Sequence, residues 1–441
     1  MSTICVTGIW HQGTVLTGCF AELGHSVRGV SDGKILDNLK RGIPPVHEPS
    51  LPEILRRNLE SGRLTYTKSF SEAIQGAEFV FISTDTPVDV NDDSDLSSVF
   101  ALAESIGPHI DQDAVLCVTA QVPIGTSAAL AEAVRLKSGH RSCNVAYVPE
   151  FLRLGSAVDS FRSADRFAIG CDDPTTAQRV GALFEPLGRP LVYTDVRSAE
   201  MAKHASNAFL AMSISFINEI ADLAELLGAD ALEVARILKL DKRIGSHAFL
   251  SPGLGYAGGT LGRDVRVLQH FGSASGAATS LLDAVRVQNL RRGQLPARRL
   301  SGLLDGLAKR RIGILGLTYK PGTSTMRRAI SLEVVKELVD QGASVAAFDP
   351  LADLSEVSQL PPMRIGADPY DVAKGCDAIV LITEWDGIDK VDWQRIRSLM
   401  AGDVLLDTRN ILDATRIVDA GLKYYGIGRQ SSWPQTSEVS V

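Results

Sequence analysis

The sequence predicts an α/β fold in which two doubly wound lobes, each built on a parallel sheet, flank a helical centre. Three observations carry that expectation. Residues 3–7 form a short β-branched apolar run, a glycine-containing turn and a helical pattern follow, and Gly24-His25 introduces a second apolar run at 26–30. From Ser198 to Leu240 the composition turns Ala/Leu/Ile/Glu-rich with helical periodicity. Arg311 to Leu317, a helical segment at 331–340 and Val345 to Asp349 then repeat the strand, glycine turn, helix and strand of the opening. That repeat points to two Rossmann-like lobes.

In chain order, the opening β-α-β unit is extended by strand-like runs at 79–83, 114–118 and 145–148 that alternate with helical patterns. A doubly wound sheet through about residue 195 is the expected result. At 441 residues the chain is too long for one core, and it divides into residues 1–195, a central helical domain 196–297 and a second α/β domain 298–429. The polar, Ser-rich residues 430–441 are expected to be a loose tail. The apolar face of the long central helix suits packing on both neighbours or a homodimer surface, and the sequence leaves both open.

Net charge is −7 with no long block of one sign, so the electrostatic footprint of a nucleic-acid binder is missing. Cys5, Cys19, Cys117, Cys143, Cys171 and Cys376 are scattered without CxxC pairs or zinc-like spacing, which predicts buried free thiols and no metal site. The first residues lack a signal-type apolar core and no later run has membrane-spanning length, so a cytoplasmic protein with no membrane partner is expected.

The first glycine turn reads Gly8-Ile9-Trp10-His11-Gln12-Gly13. A dinucleotide turn uses G-x-G-x-x-G to turn tightly, to let pyrophosphate approach and to pack helix on strand. Gly8 and Gly13 keep the first and third of these functions, whereas Trp10 stands where a bare backbone is usual. Asp32 follows the second apolar run at the distance from which an acid holds an adenosine ribose, favouring NAD over NADP. His11 belongs to the same turn and reads as a loop imidazole.

Two longer strings are more specific. Val148-Pro149-Glu150-Phe151-Leu152-Arg153-Leu154-Gly155-Ser156-Ala157 and Ser198-Ala199-Glu200-Met201-Ala202-Lys203-His204-Ala205-Ser206-Asn207 resemble the NPEFLREGSA and central-helix motifs of the UDP-glucose/GDP-mannose dehydrogenase superfamily. The resemblance continues through Asp241 to Tyr256, Gly316 to Pro321, Thr383-Glu384-Trp385, Asp407 to Asn410 and Tyr425 to Arg429, nearly the whole chain. Members of that superfamily oxidise C6 of a nucleotide sugar from alcohol through aldehyde to carboxylate with two NAD-dependent hydride transfers. By resemblance, Lys203 polarises the reacting oxygen, Asn207 helps form an oxyanion site, Asp264 organises water and protons, and Glu150 is the first motif acid. Resemblance also implies Thr86 as a cofactor contact, and Phe151, Leu152, Phe249, Leu250 and Gly255 beside the sugar nucleotide. Lys320 would lie near the nucleotide and Arg327 would pair with its diphosphate. Read by residue type alone, Lys203 is a solvated helix lysine, Asn207 a helix-packing amide, Glu150 a cap or salt-bridge partner and Asp264 a helix cap.

The departures gather where the chemistry is expected. The family's GYGGSCFPKD becomes Gly255 to Asp264 with Thr260 in place of the nucleophilic cysteine. Gln121 replaces a threonine of an STVPVGT-like loop, and Leu154 replaces the second acid of LREG. A threonine hydroxyl is far harder to ionise than a thiol, so the second oxidation is expected to be impaired or absent. An NAD-linked oxidoreductase that stops after one two-electron step is the leading expectation. A non-redox epimerase or lyase with retained NAD and a non-catalytic nucleotide-sugar binder remain the alternatives.

Overall fold

The computed structural model describes residues 1–89 and 93–429. The tail predicted at 430–441 lies outside the described residues. Fourteen strands form two sheets among the described residues. The first eight are β1 Thr3–Thr7, β2 Ser26–Val30, β3 Leu64–Thr67, β4 Phe79–Ile82, β5 Val115–Val118, β6 Asn144–Tyr147, β7 Phe167–Gly170 and β8 Leu191–Thr194. The other six are β9 Arg311–Leu315, β10 Ser344–Phe348, β11 Arg364–Ile365, β12 Ala378–Leu381, β13 Val404–Asp407 and β14 Lys423–Tyr425. By contacts the chain separates into two compact units, Met1–Ala205 and Ser206–Val441.

In the first unit the strand order is β3-β2-β1-β4-β5-β6-β7-β8. The order reverses between β1 and β4, the topological switch point at which such sheets take ligands. Alternation drives the packing: Ile4, Val6, Phe79 and Phe81 enter one core, while Cys5, Val80 and Ile82 enter the other. Fully burying a side chain the size of Phe81 contributes roughly 1.5–3 kcal/mol. The sheet is not wholly parallel, because β6 and β7 pair antiparallel at Tyr147 and Gly170. Residues 148–156 form a loop and the short helix Ala157–Arg162 follows it, after which β7 enters against the direction of β6.

The second unit holds a six-stranded, all-parallel sheet in the order β11-β10-β9-β12-β13-β14. Ile312, Ile314 and Val380 face one core and Leu315, Ile379 and Leu405 the other. Ala221, Ala224, Leu295 and Leu300 of the helical centre share the first of these cores. The predicted helix from 198 to 240 is two helices, Val196–Leu227 and Ala231–Leu240. Gly228, at φ +75°, ends the first, and Asp230 caps the second by accepting the Leu232 amide at 2.8 Å.

Candidate active site

The glycine turn after β1 closes as a dinucleotide turn should. Gly8 has φ +75°, and a Cβ there would stand 2.6 Å from the Thr84 amide nitrogen. Position 8 therefore demands glycine on both counts. A Cβ on Gly13 would already stand 2.5 Å from Ser83 Oγ, which fixes the close packing of helix His11–Glu22 on the sheet. Trp10 precedes that helix at φ −131° and ψ −139°, with a negative φ, so this position does not call for the left-handed backbone that favours glycine and the turn closes without the second glycine. Its carbonyl accepts the Thr14 amide at 3.1 Å. Asp32 stands exposed after β2, with no side-chain bond to the helix it precedes. A closed turn, a helix N-terminus and an exposed acid beside the switch point fit an NAD pyrophosphate and ribose.

Around this turn the first unit assembles a second set of predicted residues. Lys203 is buried, donates to the Glu150 carbonyl and lies 4.8 Å from the centroid of the Phe151 ring. The Glu150 carboxylate accepts the Leu152 amide at 2.6 Å, which sets the bend of the 149–152 segment. Thr86 is buried with its hydroxyl donated to the Gln121 carbonyl at 2.8 Å, so that loop is held through its backbone.

Three residues with structural leverage escaped the sequence reading. Glu200 accepts the Gly125 and Ser127 amides at 2.5 and 2.9 Å, and the His204 Nε2 sits 2.9 Å from the Val122 carbonyl. Both fix the loop that carries Gln121. Their signal was spacing, since 200, 203/204 and 207 recur at helical intervals. Glu48 is fully buried, pairs with His11 at 2.6 Å and accepts the Gly155 and Ala157 amides at 2.6 and 3.0 Å. Burial works to raise its carboxyl, but the hydrogen bonds from His11, Ala157 and Gly155 outweigh it and hold the group below the ordinary carboxylate range.

In the second unit, Asn207 donates to Asp264 at 2.5 Å, and Asp264 is fully buried in the first turn of helix Leu261–Ser275. Thr260, exposed, immediately precedes that helix and makes no side-chain cap. The loop before it is tightly held. Asn289 accepts the Tyr256 amide at 2.8 Å and donates to the Tyr256 carbonyl at 3.0 Å, while Asn218 accepts the Gly253 amide at 2.8 Å. Gly255 has φ +90°, and a Cβ there would meet Asn289 Oδ1 at 2.3 Å. Leu250 packs in a small core with Ile217 and Ala235, whereas Phe249 is exposed. All six cysteines are free, and burial pushes Cys5 and Cys19 up to about 12 and Cys143 and Cys376 up to about 11. Cys117 and Cys171 are raised as well, again chiefly by burial.

The glycine turn after β9 repeats the first one with a different outcome. Gly316 has φ +92°, and a Cβ would meet the Thr383 carbonyl at 2.1 Å. Here, though, Asp349 folds back and accepts the Leu317 and Thr318 amides at 2.8 and 3.0 Å. The counterpart of Asp32 is thus spent on the turn itself, and the amides a phosphate would use are taken. Lys320 lies 5.7 Å from the Tyr319 ring centroid, and Arg327 is exposed on the loop that follows.

Comparison with known proteins agrees with this layout. Family models match the NAD-binding domain of the UDP-glucose/GDP-mannose dehydrogenase family at residues 2–188, its central domain at 197–291 and its UDP-binding domain at 313–414. A UDP-glucose 6-dehydrogenase of Pseudomonas aeruginosa is 38% identical over 97% of both chains. The chain belongs to the UDP-glucose/GDP-mannose dehydrogenase family. Another relative, the UDP-glucose 6-dehydrogenase of Rhizobium meliloti, is 36% identical over 97% of this chain and 99% of its own. A solved UDP-glucose dehydrogenase from Pyrobaculum islandicum superposes with a TM-score of 0.89 at 33% identity, covering 97% of this chain and 98% of that one. For this family member NAD is the indicated cofactor, and the reaction class is oxidation of a nucleotide sugar.

Proposed function

We propose that this chain is an NAD-dependent nucleotide-sugar dehydrogenase that carries its substrate from alcohol to aldehyde and stops there. The observation that carries this reading is Thr260, an exposed hydroxyl where the family motif has its thiol, in a chain whose six thiols are all raised by burial. When bound at the Gly8–Gly13 turn, NAD supplies the hydride acceptor. Lys203 holds and polarises the C6 oxygen, aided by Asn207 one turn along the same helix. Asp264, held by Asn207, receives the hydroxyl proton through water. An alcohol and NAD thus give an aldehyde, NADH and one proton. The next step requires a group that captures the aldehyde, and a protonated threonine does so poorly.

UDP-glucose is the first substrate to try, because the relatives above carry it in their names. Lys320 and Arg327 are assigned to the nucleotide and its diphosphate. Six free thiols fit a reducing, cytoplasmic compartment. A homodimer is proposed from the exposed Phe209, Phe216, Leu223 and Leu227, which recur at intervals of seven and four residues on one helix. The test is to run the reaction with NAD, UDP-glucose and hydroxylamine. An oxime recovered mole for mole with NADH supports the assignment; two NADH per sugar with no oxime contradicts it.

A further inference from the structure

His11, read from the sequence as a loop imidazole of the cofactor turn, and its neighbour Gln12 reach out of that turn to two separate loops. The His11 ring, 18% exposed, places Nε2 at 2.6 Å from the fully buried Glu48. That same carboxylate accepts the amides of Gly155, at φ +84°, and Ala157, where helix Ala157–Arg162 begins. One buried anion therefore ties the turn to the far end of the 149–157 segment. At its near end that segment supplies the Glu150 carbonyl and the Phe151 ring that hold Lys203. Gln12 makes the second tie, donating Nε2 to the Thr119 carbonyl at 3.1 Å, two residues before Gln121.

We propose that His11 and Glu48 are positioning residues that make the dinucleotide turn and the 149–157 segment one mechanical unit, so that filling the turn with NAD also fixes the seat of Lys203. This inference rests on the NAD-linked reading above. The physical basis is that Glu48 is an anion with no exposed surface, stabilised by three donors on two different segments. If His11 is removed, the carboxylate keeps the two amides and loses the turn. Order that NAD brings to the turn then no longer passes through Glu48 to Gly155. A side chain that filled space alone would not transmit this, whereas any donor of the right length would.

The test compares wild type, His11→Ala and His11→Gln by NAD titration calorimetry and by amide hydrogen exchange of residues 149–157 with and without NAD. In wild type NAD is expected to slow exchange across 149–157. In His11→Ala that NAD-dependent slowing disappears and the NAD Kd rises about tenfold, the size of one net hydrogen bond. The amide of His11→Gln can still donate to Glu48 and restores most of both effects. His11→Ala that binds NAD and protects 149–157 as wild type does, or His11→Gln that behaves no better than His11→Ala, overturns the proposal. A matched thermal unfolding midpoint separates these results from a general loss of fold. None of the readouts requires turnover, so a protein that binds NAD without reducing it sinks the dehydrogenase reading while leaving the coupling result standing.

Discussion

On the proposed assignment the Thr260 hydroxyl stays protonated at neutral pH, and Lys203, Asn207 and Asp264 would polarise the alcohol and take up its proton. Lys203→Met is expected to lower turnover by about a hundredfold or more, and Asn207→Ala by a similar factor, each assayed well below its own unfolding midpoint because both side chains also bond buried partners. Steady-state NADH formation measures both. Glu48 adds a pH signature. Its folded carboxyl titrates below its unfolded value, so its stabilisation is complete above about pH 4.3 and is lost as pH falls through the depressed folded value. Glu48→Gln should therefore be less stable than wild type at pH 7, with the gap closing toward pH 3. Urea unfolding across that range checks the sign; a gap that widens on acidification would contradict it.

Glycine turns and helix ends govern the next level. Gly316 and Gly322 both have positive φ, but a Cβ at 316 meets a carbonyl at 2.1 Å and one at 322 meets nothing within 4 Å. Gly316→Ala is expected to cost about 2–4 kcal/mol and Gly322→Ala about 1 kcal/mol, read from urea midpoints. On the helix Val196–Leu227 the exposed apolar residues set a different expectation. Light scattering should give a dimer, and Phe216→Glu with Leu223→Glu should give a monomer. Strong periodic elements such as β1, β2 and the helix at 330–340 were legible in the sequence because one chain segment dictates each of them. The break of the 198–240 helical stretch at Gly228 was not, since Ala and Leu continue on both sides. The antiparallel β7 was equally hidden, because its direction depends on how the 148–156 loop is held.

For the molecule as a whole, long motifs made the family and its two sheets legible, and they named Lys203, Asn207 and Asp264 from the resemblance. What they did not reveal is who holds those residues in place. Glu48 lies more than a hundred positions from the amides it accepts, and Asn289 more than thirty from Tyr256, so neither partnership leaves a local pattern. The same distinction separates the two glycine turns, which read alike until Asp349 is found occupying the amides of the second while Asp32 stays exposed. The proposed enzyme is a dehydrogenase that oxidises its substrate once. Its most direct test is mass spectrometry of the product formed from purified protein, NAD and a panel of UDP- and GDP-sugars. A product two hydrogens lighter than its substrate, with one NADH each, is the predicted result; a uronic acid with two NADH would contradict it.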